Sequence, residues 1–158
     1  MLQSSSSAFG AGSTEKVNEY RFVFLKAVWI LVILIVAAGL WIRFAPTDSG
    51  KWHKALPNPA NKDFAAGVIR VLPNRAENFG ALHAAALGTD RTILLAGSVE
   101  EGIATYVTRT FFWGFPDYAT AWIEGDSLVI YSRLRFGTGD HGVNRAKVEK
   151  WIAALPNP

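Results

Sequence analysis

The densest run of chemistry-bearing residues lies between Arg133 and Arg145, where the chain reads RLRFGTGDHGVNR. Arg133 and Arg135 are two apart and so share one face of a strand, while Arg145 opens the helix expected next. Gly139 and Asn144 sit in the loop between them, where glycine permits backbone conformations closed to other residues. Loop amides at a helix N-terminus together with guanidinium groups make an anion site. Arg133, Arg135, Arg145, Gly139 and Asn144 are therefore candidate ligands for a phosphate or carboxylate. The same residues support a structural reading, in which Asp140 or Asn144 caps the helix and Asp117 pairs with Arg133 or Arg145. The Gly137-Thr138-Gly139 spacing has no parallel strand before it and is not a dinucleotide fingerprint.

Asp140-His141 is the best general acid–base pair in the chain, because histidine titrates near neutrality. A nucleophile would have to come from Ser98, Ser127, Ser132 or a threonine, none of them in a nucleophile elbow. His53, His83 and His141 lie in three remote segments without ligand spacing, so no metal is expected, and no cofactor motif is present. Phe111, Phe112, Trp113 and Phe115 form an aromatic run between two strands. It is read either as core filler or as a surface that meets the bilayer or a partner.

The elements that position these groups follow from periodicity and turn chemistry. Strands are expected over Gly67–Leu72, Arg91–Ser98, Ile103–Phe112, Asp117–Ile123 and Ser127–Arg135. Gly125-Asp126 supplies a tight hairpin turn between the last two. Helices are expected over Ala76–Leu87, with Phe79, Leu82, His83 and Ala86 on one face, and over Val143–Leu155, with Val148, Trp151, Ile152 and Leu155 on another. The order is β-α-β-β-β-β-α, an α+β domain in which an antiparallel meander carries helices on one face.

Ahead of this domain, Ala27–Ile42 contains no charge, and Phe22–Leu25 extends the apolar run beyond Lys26. With Lys26 and Arg43 snorkelling outward, Phe22–Ile42 is long enough to span a bilayer. Trp29 and Trp41 stand near its two ends, where indoles favour the headgroup zone. The polar stretch before the block is long, and Pro46 follows Phe44-Ala45, a poor cleavage context, so an uncleaved signal anchor is expected. The organisation is thus a disordered tail over 1–21, a transmembrane helix over 22–43, a linker over 44–63 and the α+β domain over 64–158. Within the linker only Trp52 and His53 are expected to dock. Positive charges flank both ends of the helix, so charge does not fix the orientation. By the convention for a lone N-terminal anchor the domain is placed outside, in the periplasm of a bacterial inner membrane.

The chain's 158 residues suit one domain and an anchor, and the absence of cysteine excludes disulfides, thiolate metal sites and a cysteine nucleophile. The net charge of +3 lies entirely before Phe64, since bases and acids balance nine to nine after it. Bases beside a membrane segment suit lipid headgroups, and a neutral domain excludes nucleic acid as a partner.

Phe115-Pro116-Asp117, Tyr131-Ser132-Arg133 with Leu134-Arg135, and then Gly137, Asp140, Gly142 and Asn144-Arg145 resemble domain-of-unknown-function family 1499. The C-terminal half of that family reads F-x-D, a strand with R-S-x-S-R, then G-x-x-D-x-G-x-N-R-x-R-I. Tyr131 stands where the first arginine of the strand motif falls, Leu134 where a small polar residue falls, and Lys147-Val148 where the R-I pair falls. The resemblance implies a bacterial envelope or plastid setting, often with a membrane anchor, and supplies no reaction. Two functions are compatible with these residues. One is a non-enzymatic, membrane-tethered accessory or binding domain that engages a lipid, an anion or a membrane-protein complex. The alternative is a small envelope hydrolase or transferase using Asp140 and His141.

Overall fold

The uncharged block that reads as a membrane span forms part of one long helix, α1 (Ala11–Phe44), in a computed structural model that describes residues 11–156. Its portion Lys16–Phe44 has a mean hydropathy of 2.7 with none of the apolar window buried, so it is long and apolar enough to cross a membrane. Residues 11–21, expected in a disordered tail, are helical instead. With no proline among them, helix propagates back through them once the apolar block has nucleated it. The rest of that tail, 1–10, lies outside the described residues. The chain divides between Trp41 and Ile42 into two compact units, and among the described residues the second holds every strand.

Residues 44–63, expected as a linker, carry structure of their own. Ala45 is buried, a single helical turn α2 occupies Ser49–Trp52, and a short strand β1 occupies Lys62–Phe64. The segment orders because it brings an indole, an imidazole and several backbone carbonyls to a sheet face that has partners for each.

The strands and helices then come in the expected order. They are β2 (Gly67–Leu72), a 3-10 turn (Ala76–Asn78) leading into α3 (Phe79–Leu87), β3 (Thr92–Ser98), β4 (Ile103–Arg109), β5 (Pro116–Glu124), β6 (Ser127–Leu134) and α4 (Val143–Ala153). All pairings are antiparallel, and the six-stranded sheet runs β1-β2-β6-β5-β4-β3. Strands β3 to β6 are a meander, and the return to β2 adds a strand beside β6. Because β2 and β3 lie at opposite sides of the sheet, the α3 connection crosses it. The β5–β6 hairpin closes through Gly125-Asp126, with Gly125 at φ +59°, a value glycine adopts at little cost.

One face of the sheet presents Val68, Ala104, Tyr106, Ala119, Ala121, Leu128 and Ile130 to Phe79, Leu82 and Ala86 of α3 and to Val148 and Trp151 of α4. The three alanines on the central strands let the helices approach closely, and Trp151 meets Tyr106 edge-on at 5.9 Å. Burying this set supplies most of the drive to fold, at about 25 cal/mol per Å² of apolar surface. Gly67 of β2 faces Ser132 and Arg133 so closely that a Cβ would collide with the Ser132 carbonyl, which fixes glycine there.

The opposite face is covered by residues 45–53. The Trp52 ring stacks on Tyr118 at 4.1 Å and 12°, and its carbonyl accepts from Thr120 Oγ1 at 3.0 Å. His53 Nδ1 bonds to Thr105 Oγ1 at 3.0 Å, and Thr105 bonds to Thr120 across the strands at 3.0 Å. Thr47 reaches the Tyr118 hydroxyl at 3.1 Å. The segment is a strap that gives the sheet its second cover.

Candidate functional site

In the loop after β6, Asp140 accepts hydrogen bonds from the amides of Gly142 and Asn144, each at 2.9 Å, and so caps α4. Burial works against its charge, but the Asn144 and Gly142 donors outweigh it and its pKa is lowered. His141 stands beside it at φ +52°, exposed, and no hydrogen bond joins the two side chains. The neighbouring cavity of 430 Å³ is lined by Gly139, Asp140, His141, Gly142 and Arg145 against Asp63 and Phe64. Two carboxylates, Asp63 and Asp140, face one guanidinium, Arg145, so it has no net preference for an anion.

Asn144 is fully buried at the start of α4 and holds the helix to the sheet. Its Oδ1 accepts from Ser132 Oγ at 2.5 Å and from Lys147 Nζ at 3.0 Å, while its Nδ2 donates to Asp117 Oδ2 at 3.2 Å. Burial raises the Asp117 pKa, against the pull of Lys147 and the Asn144 bond. Burial also draws Lys147 down to about 8, with Asp117 and Asp140 opposing. The expected pairing of Asp117 with Arg133 or Arg145 does not form. Tyr118 is opposite Arg133 in the β5–β6 register, so Asp117 faces α4 while Arg133 faces the strap.

Arg133, Arg135 and Arg145 do not converge. Arg133 is buried with its guanidinium over Tyr131 at 4.2 Å and Trp52 at 5.1 Å, and it donates to the Trp52 carbonyl at 2.8 Å. Arg135 donates to the Tyr118 hydroxyl at 3.1 Å and the Pro46 carbonyl at 2.9 Å. Both therefore secure the strap. Arg145, on the helix side, reaches Asp63 at 3.2 Å, and Asp63 is shared with Arg70, which also holds Glu149 of α4 at 2.6 Å.

The aromatic run divides. Phe111, Phe112 and Trp113 are 81%, 78% and 44% exposed, whereas Phe115 is half-buried, its ring centre 6.3 Å from that of Phe136. Beside the exposed three lies a cavity of 450 Å³ lined by Arg43, Arg91, Ile93, Arg109, Thr110 and Phe111. Arg91 and Arg109 are eighteen positions apart in sequence and meet because Thr92 pairs with Thr108 in the β3–β4 hairpin. Arg91 Nε donates to the Arg109 carbonyl at 3.1 Å, and Arg109 Nη1 donates to the Gly114 carbonyl at 3.0 Å. Sequence reading missed this grouping, and the only available signal was basic residues at the two ends of one predicted hairpin.

No curated protein and no solved structure matches the chain. The family model described as "Protein of unknown function (DUF1499)" matches residues 46–155. That match starts within the strap and ends at Leu155, just beyond α4, so strap, sheet and both packed helices form one family unit, and the chain belongs to the DUF1499 family.

Proposed function

We propose that this is a non-enzymatic binding domain tethered by α1 in a bacterial inner membrane, on the periplasmic side, and that it works against the bilayer surface. The observation that carries the reading is the exposure of Phe111, Phe112 and Trp113 together in one loop. Single exposed apolar residues are ordinary, but three adjacent aromatic rings in water are costly unless a surface receives them. Aromatic side chains favour the headgroup layer, where a ring can be half wet. The tether adds to this, because the apolar helix runs to Phe44 while the compact domain starts at Ile42, so the covalent connection is short. The hydrolase reading is less well supported, since both Asp140 oxygens are committed to capping α4.

The test uses the absence of cysteine from the chain, which makes any introduced cysteine a unique label site. The full chain with Phe112→Cys, carrying an environment-sensitive fluorophore, is placed in lipid nanodiscs containing brominated lipid. Asp126→Cys, in the exposed turn at the other end of β5, is the comparison. A blue-shifted probe quenched by bromine at 112 but not at 126 is the expected result. Equal, water-like emission from both sites would sink the reading.

A further inference from the structure

Arginines elsewhere in the domain are engaged. Arg70 and Arg145 meet carboxylates, and Arg133 and Arg135 meet carbonyls and ring faces. Arg43, Arg91 and Arg109 differ, since they line one concavity and carry three positive charges into it. Among the described residues, the one carboxylate that any of them approaches is Asp90, 4.0 Å from Arg91 and 88% exposed at its side chain. Such an exposed, distant partner offsets little.

Two of the guanidiniums, those of Arg91 and Arg109, are also held in place. The Arg91 and Arg109 bonds to the 109–114 backbone use one N–H of each and leave the others free. Arg91 lies 5.5 Å over the Phe111 ring. At Gly114, with φ +69°, a Cβ would stand 3.0 Å from Arg43 Nη1, so the bare backbone there gives the guanidinium its room. Thr110 Oγ1 accepts from the Phe115 amide at 2.9 Å, which leaves its own proton to donate inward. Like charges gathered without a counter-charge repel each other, and the arrangement becomes favourable when an anion enters. Planar guanidinium forks match the oxygens of a phosphate.

We propose that this three-arginine cradle binds the phosphate of an anionic phospholipid headgroup. The inference rests on the bilayer-surface reading of the domain, and two features select the lipid as the source of the phosphate. Phe111, the first ring of the exposed aromatic loop, lines the cavity, and Arg43 lies in the last turn of the apolar helix. Ring faces beside a cationic pocket suit a ligand with a charged head and apolar tails.

The experiment takes the full chain in nanodiscs of equal phosphatidylcholine and phosphatidylglycerol and counts retained lipid by native mass spectrometry. The same preparation carries the Phe112→Cys probe. Selective retention of phosphatidylglycerol is expected, falling about tenfold or more in Arg91→Asn/Arg109→Gln. It should persist in Lys54→Gln/Lys62→Gln, which removes equal charge from exposed positions outside the cavity. Asparagine at 91 suits the φ of +56° there, and Arg43→Gln alone, which leaves the sheet untouched, should also lower retention. Equal retention of the two lipids, or retention unchanged in the arginine variants, overturns the cradle. If the probe is still bilayer-quenched in that case, the surface reading survives without it, whereas a water-like probe removes both. Displacement of the lipid by inorganic phosphate at matched ionic strength overturns the lipid as ligand.

Discussion

Asn144→Ala removes a side chain that satisfies three neighbours at once. Ser132 Oγ loses its acceptor at 2.5 Å, Asp117 Oδ2 loses its donor at 3.2 Å, and Lys147 Nζ loses an acceptor at 3.0 Å. Ser132 is fully buried and Asp117 is 5% exposed, so neither turns to water without opening the α4–sheet contact. Each buried polar group left without a partner costs about 1–3 kcal/mol, and Lys147, which is partly exposed, recovers its bond from solvent. The expected loss is therefore about 3–5 kcal/mol, a large share of the ~5–15 kcal/mol that holds a domain of this kind. Asp117 escapes part of the cost by binding a proton, toward which burial already biases it, so the loss should shrink as pH falls. Urea unfolding of the full chain in mild detergent, followed by the fluorescence of buried Trp122 and Trp151, gives the difference directly. A variant within about 0.5 kcal/mol of the parent would show that the network is hydrated and does not hold α4 to the sheet.

Lys147 predicts the pH dependence in the alkaline range. Its folded pKa is about 8 against an ordinary 10.5, so between those values the unfolded chain binds more protons and stability rises with pH. The rise amounts to about 1–3 kcal/mol after allowance for partial exposure, and urea midpoints across that range should lose it in Lys147→Met. His141→Gly relieves a left-handed φ of +52° at an exposed position. Thermal unfolding should show stability unchanged or raised by about 0.5–1 kcal/mol, and lipid retention should be unaffected; a loss of stability would show that the imidazole makes contacts the fold requires.

Local patterning carried much of the fold. Gly125-Asp126 marked the β5–β6 hairpin, and Val148 and Trp151 marked the buried face of α4, because turns and helix faces are set by residues a few positions apart. The strap escaped because residues 45–53 have no period and order only against Tyr118, Thr105 and Thr120 on distant strands. Strand β1 is three residues long, too short for alternation to register. The pairing of β2 with β6 closes a long loop, and neither strand announces its partner. At the loop site, period two did place Arg133 and Arg135 on one face, but nothing local showed that the strap occupies it. The cradle is the extreme case, since it needs the β3–β4 register and the position of Arg43 together.

The residues that carry the family resemblance are committed internally, and that bears on where function lies. Asp140 gives its two oxygens to two helix amides, and Asn144 fills its oxygen with two donors and directs its amide to Asp117. Arg133 is packed between two rings under a carbonyl. A ligand taking any of these groups would have to release α4 or the strap, and so would compete with the fold at about 1–3 kcal/mol per buried group left without its partner. A binding surface on the same domain is free of that competition only where polar and charged groups are held in place yet unfilled. Arg91 and Arg109 meet that condition, because each has one N–H fixed to a backbone carbonyl while the residue lines the cavity beside Arg43. The motif accordingly builds the platform, and the proposed contact with the bilayer falls to residues outside it.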